Sequence, residues 1–215
     1  MTDLSKSLEL SLWNSDFNDI TKDIIECSID SLIDNEFIKQ IPIIKTICGI
    51  SKAYLSIREK NFIKQLTVFL INVSDGKASE KEKSKYLQQL SNEKDKRKVL
   101  ERLLLLLEKN IETEKSIAYA NIFKGFINGK ITKNEFFEMT IITDSLFMTD
   151  VNTLNLIFKC EKNSKNCDIS NINRLSALGL IHQVESVEDG VLNLGTTNSE
   201  LTSIGKKYCE IIFNN

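Results

Sequence analysis

Arg174-Leu175-Ser176-Ala177-Leu178-Gly179-Leu180-Ile181, followed by Glu188-Asp189-Gly190 and then Leu201-Thr202-Ser203-Ile204-Gly205, is the stretch that decides the fold. Helical spacing over residues 169–178 stops at Gly179, the residue type that takes positive φ past a helix C-terminus. Residues 180–187 and 191–194 alternate around Glu-Asp-Gly and read as a hairpin. Helical spacing then resumes over residues 201–213. Ser170 is placed to cap the first of these helices and Thr202 the second. A helix, a glycine stop, a hairpin and a closing helix follow one another in the order of a winged-helix module.

Upstream the grammar is purely helical. Residues 151–158 read as a short helix, separated from 169–178 by the polar loop Lys162-Asn163-Ser164-Lys165-Asn166. Residues 16–33 place Phe17, Ile20, Ile24 and Cys27 at helical spacing, with a stop at Asp34-Asn35. Pro42 suits a first helical turn, where its missing N–H costs nothing. Ile43, Ile44, Ile47, Cys48 and Ile50 make that helix apolar on several sides, which predicts a central position, with Gly49 as a point of close backbone approach. Phe62, Ile63, Leu66, Phe69, Leu70 and Val73 form a clean stripe of the next helix.

Two junctions share one chemistry: Gly76-Lys77-Ala78-Ser79-Glu80-Lys81-Glu82 and Gly129-Lys130-Ile131-Thr132-Lys133-Asn134-Glu135. Each has glycine after a helix, then Ser or Thr, then Glu three residues on, as in a capping box. They read as two independent helix junctions. Helices are expected over 79–90, 93–109, 112–128 and 132–146, with Leu104 and Leu105 widening the core face of the second. The expected architecture is mainly α: a multi-helix N-terminal domain over 1–148 and a winged-helix-like domain with a small β-hairpin over 149–215.

The bulk numbers agree with a helical globular protein. The chain has 215 residues, 41% hydrophobic and 27% charged, with one proline and eight glycines. Its net charge of −2 demands neither nucleic acid nor an anionic membrane as partner. The five cysteines are odd in number and fit no common framework, so reduced thiols in a cytoplasm are expected. Residues 1–12 lack the apolar run of a secretory signal. No segment has the roughly 20 apolar residues of a spanning helix.

No constellation of residues argues for catalysis, a metal or a cofactor. His182 is the one histidine, at the start of the hairpin, with no Ser or Cys beside it in sequence to act as nucleophile. Cys160 and Cys167 lack the paired Cys-x2–4-Cys spacing of zinc sites. Asn72-Val73-Ser74-Asp75-Gly76 fails as a calcium loop, because Ile71 would stand at its first ligand position. Lys94-Asp95-Lys96-Arg97-Lys98 opens a helix among acids and reads as a solvated face.

If the module read DNA, the helix before Gly179 would present Asn171, Asn173 and Arg174 to the major groove. Asn can pair with adenine and Arg with guanine. Charge disfavours this: from residue 150 onward there are six Lys or Arg against eight Asp or Glu, and the hairpin tip is Glu188-Asp189. Phosphate contacts supply most non-specific affinity, and this module has few cations to make them. The same three residues are therefore candidate contacts for a protein partner first and for DNA second.

Two segments carry a resemblance: Ala118-Tyr119-Ala120-Asn121-Ile122-Phe123-Lys124-Gly125-Phe126 with residues 129–136, and residues 175–181 with Leu201-Thr202-Ser203-Ile204-Gly205. This second half of the chain resembles helical bacterial proteins of the abortive infection alpha family. The resemblance implies a helical body, an LTxxG-type C-terminal end and a setting in anti-phage defence. It supplies no catalytic residues.

The sequence thus leads to a non-catalytic interaction or regulatory protein of bacterial defence or stress response, docking a protein partner through its C-terminal module. Dimerisation through an exposed helix face is a further expectation. The alternatives are a DNA-binding transcriptional regulator and a membrane-disrupting effector that would release residues 38–50.

Overall fold

Local capping chemistry sets the helix boundaries. In a computed structural model, residues 2–13, 28–50, 54–74, 80–90, 93–159, 167–188 and 191–213 are described. They form twelve helices and one antiparallel hairpin: α1 (Thr2–Leu12), α2 (Ile29–Asp34), α3 (Glu36–Gln40), α4 (Pro42–Ile50), α5 (Ile57–Ser74), α6 (Glu80–Gln89), α7 (Glu93–Lys109), α8 (Thr113–Ile127), α9 (Lys133–Ser145), α10 (Met148–Phe158), α11 (Ile169–Ala177), β1 (Ile181–Glu188), β2 (Val191–Leu201) and α12 (Ser203–Phe213). The protein is mainly α, as the periodicity predicts. Residues 16–27 of the first expected helix, the Gly76 junction and Cys160 with its lysine-rich loop lie outside the described residues.

The chain divides into two compact units, Met1–Phe137 and Glu138–Asn215, and the division falls within α9. In the first unit, α5 carries an unbroken run of buried residues from 65 to 71. It encloses Phe62, Ile63, Leu66, Val68, Phe69, Leu70, Ile71 and Val73, together with the polar Gln65 and Thr67. Buried polar groups must be paired, and Gln65 is. Its amide oxygen accepts the Ser116 hydroxyl at 2.6 Å, and its amide nitrogen donates to the Ile111 carbonyl at 2.9 Å. These bonds fasten the α7–α8 connection to α5. An aromatic cluster fills the space beside it, with Phe123 centred 5.9 Å from both Phe69 and Tyr86 and 6.5 Å from Phe136.

Three sequence expectations are corrected here. The Pro42 helix is not central. Ile43, Ile44 and Ile47 are buried, but Lys45 is exposed and Ile50 is 62% exposed. Its apolar residues look multi-sided because the helix is short, and one stripe does the packing. That stripe faces α1, a helix the sequence reading did not assign. There the Ser11 hydroxyl accepts the Ile43 N–H at 3.1 Å, and the Ser7 and Thr46 hydroxyls are 2.8 Å apart. Nor is Gly49 a point of close approach, since a Cβ there would meet nothing within 4 Å. In α7, Leu104 is covered but Leu105 is 53% exposed.

The Gly129 junction behaves as its residues dictate. Gly129 has φ +72°, and the Lys130 N–H returns to the Gly125 carbonyl at 2.9 Å. The Thr132 N–H donates to Glu135 Oε2 at 2.7 Å, and the Glu135 N–H donates to Thr132 Oγ1 at 3.3 Å, which completes the reciprocal capping box.

The second unit contains the rest of α9, then α10, α11, the hairpin and α12. Strands β1 and β2 pair with Ile181 opposite Leu201 and Glu185 opposite Thr197, and a bulge between Glu185 and Val187 shifts the register toward the tip. The second strand therefore runs to Leu201 rather than stopping at Leu194, and the last helix begins at Ser203. Alternation fades across Gly195-Thr196-Thr197-Asn198, so sequence pattern alone ended the strand early. The α11 cap is Asp168, whose carboxylate accepts the Ser170 N–H at 2.7 Å, and not Ser170 itself. Tyr208 of α12 is buried, its hydroxyl 2.9 Å from that of Thr143 in α9. Burial pushes this phenol's pKa up.

Candidate interaction surface

Helices α10 and α11 are joined by a polar network built on a buried carboxylate. Asp150 sits in the first turn of α10, and its side chain accepts the Phe147 N–H at 3.0 Å, covering one of the donors that a helix start leaves open. The same carboxylate receives Arg174 from α11. Nε donates to Oδ1 and Oδ2 at 3.0 and 3.1 Å, and Nη2 donates to Oδ1 at 2.6 Å. Asp150 has no exposed surface, while the Arg174 side chain is 37% exposed. Hydrogen bonds to Asp150 raise the Arg174 pKa, outweighing the opposing effect of desolvation.

Asn171 extends the network. Its carbonyl oxygen accepts Arg174 Nη2 at 2.6 Å, and its amide donates to the Thr153 hydroxyl at 2.8 Å. The guanidinium carbon lies 5.1 Å from the centroid of the Phe147 ring, a cation–π distance. Of the three residues singled out by sequence, the structure thus brings Asn171 and Arg174 together in a clamp between helices. Asn173 is exposed, and its carbonyl oxygen accepts the Gln183 amide of β1 at 3.2 Å.

Arg174 is the one charged residue of α11. The exposed residues of that helix are Ile169, Ser170, Asn173 and Ala177, with Ile169 63% exposed. This is a small, uncharged, partly apolar face. Sequence reasoning named Asn171 and Arg174 for their chemistry but missed Asp150, the partner of Arg174. The signal was the acid three residues after Phe147, where a helix start uses a carboxylate.

The remaining candidates are placed as follows. His182 is about half exposed, with Nε2 3.6 Å from Glu200 Oε2 on the facing strand. Cys209 is fully buried, and burial pushes its thiol up to about 12, so it is protonated at neutral pH and a poor nucleophile. In the basic cluster, Lys96 reaches Glu9 at 2.9 Å and Glu93 at 2.8 Å, while Arg97 reaches Glu101 at 2.6 Å. Residues Ile38, Ile41, Ile43, Ile44 and Ile47 are buried in packing. Among the described residues, no group of three or more His, Cys, Asp or Glu is arranged to hold a metal, and no helix is long and apolar enough to cross a membrane.

In comparisons with known proteins, no protein-family model, no curated protein and no solved structure matches the chain.

Proposed function

We propose that the unit over residues 138–215 is a winged-helix-like module that docks a protein partner, within a non-catalytic regulatory protein. The observation that carries this reading is the inward engagement of Arg174. A DNA-reading helix needs cations toward phosphates and base edges. Here the one cation of α11 is held by a buried carboxylate, and the exposed positions Ile169, Ser170, Asn173 and Ala177 carry no charge. Protein interfaces are depleted in charge at their centres, and such a face suits one. The setting in bacterial anti-phage defence or stress response rests on the resemblance of residues 118–136, 175–181 and 201–205 alone.

The test is affinity capture from cells, comparing the wild-type chain with an Ile169→Asp, Asn173→Glu variant of equal thermal stability. The reading expects a partner held by the wild type and released by the variant. Equal capture by both would contradict it.

The DNA-binding alternative has one observation in its favour. Asn173 and Gln183 form an exposed amide pair where α11 meets the hairpin, and amide side chains can pair bidentately with adenine.

A further inference from the structure

Among the described residues the sheet of the second unit has two strands, so each strand keeps an outer edge whose peptide groups the hairpin does not use. The register says which residues those are. The Thr202 N–H donates to the Leu180 carbonyl at 3.0 Å, one residue beyond the Ile181–Leu201 pair. Antiparallel pairs alternate between hydrogen-bonded and open. His182–Glu200 and Val184–Asn198 are therefore bonded pairs, while Gln183–Ser199 and Glu185–Thr197 are open ones. Gln183 and Glu185 thus turn their peptide N–H and C=O away from β2, toward the outer edge of β1. That edge begins after the buried Ile181, where His182 and Gln183 are exposed, and its regular part ends at the bulge after Glu185. Helices α10 and α12 pack on β2, whereas the helix beside β1 is α11, which runs directly into it.

We infer that the β1 edge over residues 182–185 takes up an extended, positively charged peptide of a partner protein as a third strand. Main-chain pairing along an edge supplies affinity without a pocket, and charge names the occupant. Residues 175–205 hold Glu185, Glu188, Asp189 and Glu200 and no Lys or Arg, and the six cations of residues 150–215 all lie outside this stretch. Exposed edges are commonly blunted by Lys or Pro, and neither occurs in β1 or β2. A second copy of the hairpin would bring these acids against their own kind, which is destabilising. A nucleic-acid backbone would meet the same repulsion. A peptide rich in Lys or Arg is attracted by the same charge. This strand site deepens the proposed function and rests on it for the existence of a protein partner, while using a backbone edge apart from the exposed face of α11.

The test uses the full chain and a capped heptapeptide of alternating lysine and valine, with binding read by calorimetric titration and backbone amides by NMR hydrogen exchange. The peptide is expected to bind, more weakly as salt is raised, and to slow exchange at Gln183 and Glu185 about tenfold or more. A glutamate–valine peptide should not bind. The lysine–valine peptide N-methylated at every residue keeps its charge but has no N–H to donate, and should bind roughly tenfold more weakly or worse. Glu185→Lys combined with Glu188→Lys should weaken binding about tenfold, in a hairpin whose own amide exchange is unchanged. Ile169→Asp disables the α11 face and should leave the peptide bound, so either reading can fail without the other. Absence of binding at millimolar peptide would overturn the inference. So would equal binding of the glutamate–valine or N-methylated peptide, or loss of binding in Ile169→Asp. Exchange at Gln183 and Glu185 that slows with protein concentration alone would overturn it too, and give the edge to a second copy.

Discussion

Gly205 lies so close to Leu180 that a Cβ built on it would stand 1.9 Å from the Leu180 carbonyl oxygen and 2.8 Å from its carbonyl carbon. Thr202 accounts for the same approach. Its backbone N–H donates to the Leu180 carbonyl at 3.0 Å, and its hydroxyl donates to the Gly179 carbonyl at 2.6 Å while accepting the Gly205 N–H at 3.0 Å. The end of α11, the base of the hairpin and the start of α12 are thus fastened at one point. Leu201-Thr202-Ser203-Ile204-Gly205 has a physical meaning: a cap three residues before a glycine that lets the helix touch backbone.

Gly205→Ala is expected to destabilise the second unit by about 1–3 kcal/mol or more, because the neighbour that must move is backbone. Gly49→Ala is the matched control. It meets open space inside a helix, so it should be neutral or stabilising by up to about 1 kcal/mol. Urea unfolding of both variants decides the matter, and equal effects would refute the contact.

Thr202→Ala should cost about 0.5–2 kcal/mol, as loss of an N-cap does, and Thr202→Ser should restore most of it. Chemical denaturation of the three proteins reads this directly. An unaffected Thr202→Ala would show that the cap is dispensable.

Much of this was legible before the structure. Glycines at 129 and 179, the Thr132–Glu135 box and the stripe from Phe62 to Val73 each follow a local rule, and local rules can be read from spacing. What escaped notice was tertiary. Residues 2–12 have weak amphipathic spacing, and the helix there is secured by Ser7 and Ser11 meeting α4. Gly49 and Gly205 look alike in sequence, and only the path of Leu180 separates them. Asn171 and Arg174 were legible as polar residues on the helix that a winged-helix reader would use. Whether they point out or in depended on Asp150, more than twenty residues earlier, and no spacing rule connects them.

Arg174→Leu should lower the melting temperature by leaving the Asp150 carboxylate buried without its cation. Asp150→Leu combined with Arg174→Leu should be less damaging than the sum of the single changes, because a wholly apolar replacement removes the stranded charge. A thermal-melt cycle of the four proteins measures the coupling. Additive effects would contradict the clamp.

Asp168 provides the pH prediction. Backbone and side-chain hydrogen bonds from Ser170 hold its carboxyl below its ordinary pKa. A depressed folded-state pKa contributes stability above the unfolded value, near 3.9, and this stability is lost as pH falls through the lower folded value. Asp168→Asn keeps a cap but cannot titrate. It should flatten the acid side of the stability profile below about pH 4 while leaving neutral stability nearly unchanged. Thermal melts from about pH 2 to 7 test this, and identical acid limbs would contradict it.

Phe123→Ala should cost about 3–5 kcal/mol, since the ring touches Phe69, Tyr86 and Phe136 at the centre of the first unit. Denaturant unfolding measures it, and a cost below about 1 kcal/mol would place the core elsewhere.

In the proposed function, α11 offers a protein partner an uncharged face, its one cation being bonded to Asp150. The most direct measurement is an electrophoretic mobility shift of the pure protein on mixed DNA fragments, at about 50 mM and then 200 mM salt, where phosphate-driven binding weakens steeply. No shift is expected at either concentration. A shift at low salt that fades at high salt and disappears in Asn173→Ala would contradict the proposed function and make the module a DNA reader.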